Sequence, residues 1–204
     1  MNEGSDLTSK SAPPVKLTYD DFALFPDDGK RHELIDGDHY VTPSPSLRHQ
    51  TISGRLYLAL GTYLEANPIG QVWAAPLDVV LSKFDVVEPD LLYVSSVRAS
   101  ILTVPNIQGP PDLAVEILSA GTRKTDEVVK RRAYERCGIH EYWIVDPELD
   151  LVKVYRLAGG KFERVAELSS ESDDVLTTPL LPELRVSLRA LFRDDDPVST
   201  KSVR

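Results

Sequence analysis

Pro111-Asp112-Leu113-Ala114-Val115-Glu116-Ile117-Leu118 decides the reading of this chain. From Leu113 the run is apolar, as a buried strand is, yet it carries a carboxylate at its centre. A charge in such a place is costly unless something pairs with it. Upstream, Glu88-Pro89-Asp90-Leu91-Leu92-Tyr93-Val94 repeats the arrangement, with an acid leading an apolar strand. Strand side chains alternate faces, so Glu116 shares its face with Ala114 and Leu118, and Asp90 shares its face with Leu92 and Val94. If the two strands are neighbours, Asp90 and Glu116 converge on one cation. The Ile117 carbonyl then adds a ligand and waters complete the octahedron. That ligand set suits Mg2+ or Mn2+, and through them phosphate chemistry. For Asp90 a plainer reading stands alongside: an acid after a proline that merely starts a strand.

Outward from these strands, the pattern is mixed. Leu17 to Leu24 reads as a short helix capped by Thr18. Asp36-Gly37 between two strand-like runs signals a hairpin. A helix from about Leu47 to Ala66 carries the apolar stripe Ile52, Leu56, Ala59, Leu60 and Tyr63. Strands follow at about Gln71 to Ala75, Leu77 to Ser82 and Pro89 to Ser95. Arg98 to Pro110 reads as a loop with room for a short helix. After the strand Leu113 to Ser119, Thr122 or Thr125 caps a helix that Gly138 stops. Glu141 to Val145 is a strand, Leu151 to Leu157 and Lys161 to Glu167 form a hairpin across Gly159-Gly160, and Val175 to Phe192 gives one strand and one helix. The expected class is α/β (α+β): a mixed central sheet flanked by helices, with an additional C-terminal hairpin region.

The chain has 204 residues, 42% of them apolar, enough for one domain with a real core. Residues 1–16 read as a disordered leader, 17–193 as the single domain and 194–204 as a polar tail. No stretch approaches the roughly 18 apolar residues of a membrane span, so no membrane partner is expected. A lone cysteine, Cys137, excludes an internal disulfide and points to the cytoplasm. The net charge of -9 argues against a surface that holds nucleic acid over its whole extent. It leaves room for a local basic segment, Arg123 to Arg136. His32, His39 and His140 lack zinc spacing, and there is no phosphate-binding glycine loop.

Several short motifs, in this order and spacing, resemble one family. They are Glu33-Leu34-Ile35-Asp36-Gly37, then Pro43-Ser44-Pro45 with His49, then Pro89-Asp90. Pro111 to Ser119 follows, then Asp126, Lys130, Tyr134 and Gly138, and last Glu141 to Pro147. Together they span about Leu17 to Leu157 and resemble the putative restriction endonuclease family of the PD-(D/E)XK nuclease superfamily. The resemblance implies a restriction-endonuclease-like core, with Asp90 and Glu116 as metal-binding acids and Glu33 as a further acid that binds metal or orients its water.

One position departs from the superfamily pattern. A lysine belongs two residues after the glutamate, and this chain has Leu118 there. The resemblance offers Lys130, on the following helix, as a migrated substitute. Asp126 and Lys130 are spaced i,i+4 and share a helix face, so a solvated ion pair of little energetic value is the alternative. His49 lies in line with Ile52, Leu56 and Leu60, either as a packed or capping residue or as part of the site. The expected function is a Mg2+- or Mn2+-dependent endonuclease acting on DNA, as a homodimer with one site per strand. The alternatives are a catalytically inactive binding or assembly module of the same fold, and a hydrolase of smaller phosphate esters.

Overall fold

In a computed structural model, which describes residues 15–194, the chain begins with α1 (Tyr19–Phe22), β1 (Arg31–Ile35), β2 (Asp38–Thr42) and α2 (Leu47–Ala66). Next come β3 (Gly70–Ala74), β4 (Val79–Ser82), β5 (Asp85–Val87) and β6 (Leu91–Ser95). A 3₁₀ turn (Ser96–Ile101) leads to β7 (Ile107–Gln108) and β8 (Leu113–Ile117). A π-helical turn (Thr125–Lys130) runs into α3 (Arg131–Cys137), followed by β9 (Glu141–Asp146), β10 (Leu151–Ala158) and β11 (Lys161–Ser169). β12 (Val175–Thr178), β13 (Leu181–Ser187) and α4 (Leu188–Phe192) close the described part.

The strands form two larger sheets where the sequence suggested one. A six-stranded sheet has the order β11-β10-β9-β8-β6-β3, and a five-stranded sheet the order β2-β1-β5-β4-β7. Both are mixed, through the parallel pairs β8–β9 and β4–β7. A β12–β13 hairpin stands apart. The C-terminal region therefore has two strands before its helix, not one.

Alternation divides the six-stranded sheet as expected. Leu91, Tyr93, Leu113, Val115 and Ile117 face the α2 stripe of Ile52, Leu56, Leu60 and Leu64. Leu92, Val94, Ala114 and Leu118 face the other way, toward Ala133 and Tyr134 of α3 and Val79 and Val87 of the five-stranded sheet. Glu116 therefore points into the seam between the two sheets. Local chemistry fixes the joints. Asp36 and Gly37 take positive φ in the β1–β2 turn, as do Gly159 and Gly160 between β10 and β11. Thr18 and Asp21 form a capping box on α1. Gly138 ends α3 in the left-handed conformation. Neither Thr122 nor Thr125 caps the helix before it: Thr122 bonds Ser119, and Thr125 lies inside the helical run.

The leader and tail fall almost wholly outside the described residues. Lys16, at the end of the expected leader, places its ammonium 2.5 Å from Asp36 Oδ1. Among the described residues, no helix is long and apolar enough to cross a membrane.

Candidate active site

β6 and β8 pair antiparallel with Leu91 opposite Val115. Continued by one residue, that register sets Asp90 opposite Glu116. The Ile117 amide donates to Asp90 Oδ2 at 2.8 Å, which ties the two strand ends together. The two acids predicted to converge do so, and the Ile117 backbone lines the same cavity.

Glu33 joins them from the other sheet. Its Oε1 accepts from the Glu88 amide at 2.8 Å, and its Oε2 from the Thr42 hydroxyl at 2.9 Å. Lys130 stands between the sheets: its ammonium is 2.8 Å from Glu33 Oε1, 3.0 Å from Glu116 Oε1 and 3.7 Å from Asp126 Oδ1. The solvated Asp126–Lys130 pair is thus overturned, because both residues are buried. Both lie in the π-helical turn, a form rare outside functional sites. Tyr142 supports the turn by donating its hydroxyl to the Asp126 carbonyl at 3.1 Å.

His49 also enters the site. Its Nε2 lies 3.1 Å from Asp90 Oδ2, while its Nδ1 is buried without a hydrogen-bond partner. Ser46 caps α2 by accepting from the His49 amide, which fixes where the imidazole starts.

Three partners were not singled out from the sequence as site residues. Arg31 bonds the Glu88 carboxylate through Nε at 3.1 Å, the Glu88 carbonyl through Nη2 at 2.5 Å, and Asp90 Oδ1 through Nη1 at 3.3 Å. Tyr134 donates its hydroxyl to Glu116 Oε1 at 2.6 Å. A signal existed for each. Arg31 lies two residues before Glu33 on one strand and so shares its face, Glu88 precedes Asp90 by the same interval, and Tyr134 lies one helical turn after Lys130.

Burial and charge set the titration of these groups. Burial pushes Glu116 well above the usual carboxylate range, against the pull of Lys130. Burial likewise raises Asp126, to about 6. Asp90 is held low despite its burial, by the His49 bond, the Ile117 amide and Arg31. Burial acts to lower Lys130, but Glu116, Glu33 and Asp126 outweigh it and keep the ammonium charged. Glu88 is raised by burial in spite of Arg31.

The fit of a divalent cation follows from this balance. Glu33, Glu88, Asp90, Glu116 and Asp126 are buried carboxyls, while Arg31 and Lys130 are the permanent cations among their partners. Acids exceed bases where solvent cannot screen them. The bonds to Glu116 fall on Oε1, leaving Oε2 toward a cavity of about 20 Å³ that Asp90, Ile117 and Lys130 also line. That is room for one water or one small ion. Among the described residues, no three His, Cys, Asp or Glu side chains form a ready ligand shell. Mg2+ does not need one, since it is commonly held by one or two carboxylates, waters and substrate oxygens. The residues present fit such an ion.

The family described as putative restriction endonuclease matches residues 19–189. The crystal structure of a putative nuclease belonging to DUF820 from Anabaena variabilis is similar in fold. The TM-score is 0.72 at 23% identity, over 88% of this chain and 98% of that chain. No curated protein matches the chain.

Proposed function

The chain belongs to the putative restriction endonuclease family, and on that premise we propose that it is an endonuclease that hydrolyses DNA phosphodiester bonds with Mg2+ or Mn2+. The observation that carries this reading is the convergence of Asp90 and Glu116, from adjacent strands, on one small acid-lined cavity with Lys130 at 3.0 Å from Glu116. Asp90, Glu116 and the Ile117 carbonyl would hold the cation. When bound, it supplies Lewis-acid polarisation of a phosphoryl oxygen and of the attacking water.

The protein's own groups do the rest. Lys130 bridges Glu116 and Glu33 in a dry place and, as the migrated lysine, orients the water beside Glu116. Tyr134 also holds Glu116 Oε1, through its hydroxyl. Glu33 fixes the Lys130 ammonium while bonding the Glu88 amide. His49 and the Ile117 amide hold Asp90 Oδ2, so that Oδ1, which Arg31 Nη1 touches at 3.3 Å, is the oxygen that would turn toward ligand. A homodimer would bring one such site to each strand of a duplex, and sedimentation at micromolar protein would reveal it.

The test is cleavage of supercoiled plasmid with Mn2+ by wild type and Glu116→Ala. The wild type is expected to nick and linearise the plasmid, and the variant to do neither while melting cooperatively. Equal cleavage by the two would remove Glu116 from the chemistry.

A further inference from the structure

Two cations reach the cavity, and they are placed very differently. The Lys130 side chain is 3% exposed and is surrounded by Glu33, Glu116 and Asp126. An ammonium so enclosed cannot meet a substrate phosphate without giving up its carboxylates. The Arg31 side chain is 20% exposed and lines both the small cavity and a second cleft of about 260 Å³ on the far side of Asp90 and His49. Gln50 and Ser53 of α2 face that same cleft.

The three bonds of Arg31 are unequal in what they leave free. Nε and Nη2 are anchored on Glu88, through its side chain at 3.1 Å and its carbonyl at 2.5 Å. Nη1 alone reaches Asp90, at 3.3 Å, the longest of the three. A guanidinium has five N–H donors in a rigid fork, so donors remain beyond these contacts. The oxygen that Nη1 touches, Oδ1, is the one that His49 and Ile117 leave unused. Arg31 therefore occupies the face of Asp90 that a cation needs, while Glu88 holds two of its other nitrogens.

We propose that Arg31 is the residue that grips the substrate's phosphate. Its Nη1 neutralises Asp90 when no cation is bound and turns to a non-bridging phosphate oxygen when one is, with Glu88 as the pivot. The proposal rests on the nuclease reading above and assigns a substrate contact within it. Arginine suits the task, since its planar fork matches phosphate geometry and stays charged in an acidic site.

The test uses the full chain with Arg31→Gln and Arg31→Lys, read by Mn2+ calorimetry and by steady-state cleavage of a duplex at several salt concentrations. Arg31→Gln keeps a donor for Glu88 without the charge. It is expected to bind Mn2+ several-fold more tightly than wild type, because the competitor at Asp90 is gone. Its kcat/KM should fall by about 100-fold, the usual cost of one lost donor to a reacting oxyanion. The dependence of log KM on log salt should become shallower by roughly 0.9, the share of one phosphate contact. Arg31→Lys keeps a charge beside Glu88 but lacks the fork, so it should bind Mn2+ as wild type does and still lose much of kcat; it carries the test if Arg31→Gln does not fold. Mn2+ affinity that falls together with cleavage would make Arg31 a mere support for Asp90 and overturn the proposal. So would an Arg31→Gln protein that cleaves at the wild-type rate. A wild type that never cleaves is a different failure, that of the nuclease reading itself.

Discussion

Asp126 shows what burial does to a single acid in this site. Its carboxyl titrates at about 6 instead of 3.8, because burial disfavours its charge more than Lys130 and Thr122 restore it. The folded-state value is above the unfolded one, so ionisation of Asp126 opposes folding. That penalty is absent below pH 3.8 and complete above about pH 6. Asp126→Asn removes it. The variant is expected to match wild type in stability near pH 3.5 and to exceed it at pH 7, by at most about 3 kcal/mol. Thermal melts across that range check the sign. A variant less stable than wild type at pH 7 would mean that Lys130 depends on Asp126 more than burial costs.

At the scale of elements, the cation beside Glu116 comes from a helical turn and not from the strand that carries Glu116. Leu118 stands in β8's continuation, buried against Ala133 and Tyr134, while Lys130 reaches Glu116 from the π-helical turn. Lys130→Met strands Glu33 and Glu116 without their shared cation. It should cost about 3–5 kcal/mol of stability and abolish cleavage. Leu118→Lys added to that variant returns a cation to the face of Glu116. The double variant is expected to regain stability and part of the cleavage rate, as read by denaturant midpoint and plasmid assay. No recovery in either would show that only the helical position can serve. The same elements show what a sequence displays and what it conceals. Leu113 to Ile117 and the α2 stripe have clear periods, and both elements form where expected. The five-stranded sheet went unseen because β5 and β7 have three and two residues, too short for alternation to register. In β13, Pro182 and the positive-φ Glu183 interrupt the alternation between Leu181 and Leu184. The π-helical turn, in which the buried Asp126 and Lys130 lie, leaves no compositional mark.

For the molecule as a whole, the site lies where two sheets meet, so its acids come from both: Glu33 from one, Asp90 and Glu116 from the other. Glu116 stands out in the sequence as an acid inside an apolar run and Asp90 as an acid heading one, His49 lies in line with the α2 stripe, and Glu33 and Lys130 are legible through the family resemblance. Their mutual distances depend on how the sheets pack, which no local pattern encodes. The opposite face of the six-stranded sheet is covered by the layer of α2. Leu56 is fully buried in that layer. Leu56→Ala should lose about 2–5 kcal/mol in urea denaturation, by removed contacts and the cavity left behind. Because Leu56 touches none of the site's polar groups, cleavage at 25 °C should persist, and its loss would show that the site tolerates no slack in α2. The net charge of -9 fits a protein that holds a cation and meets a phosphate at one place rather than over a broad face.

The most direct measurement is calorimetric titration of Mn2+ into wild type and Glu116→Ala under the same buffer. Saturable binding to wild type, lost in the variant while the variant remains folded, is the result this account predicts. Identical binding isotherms for the two proteins would contradict it, for the cation would then sit somewhere other than between Asp90 and Glu116.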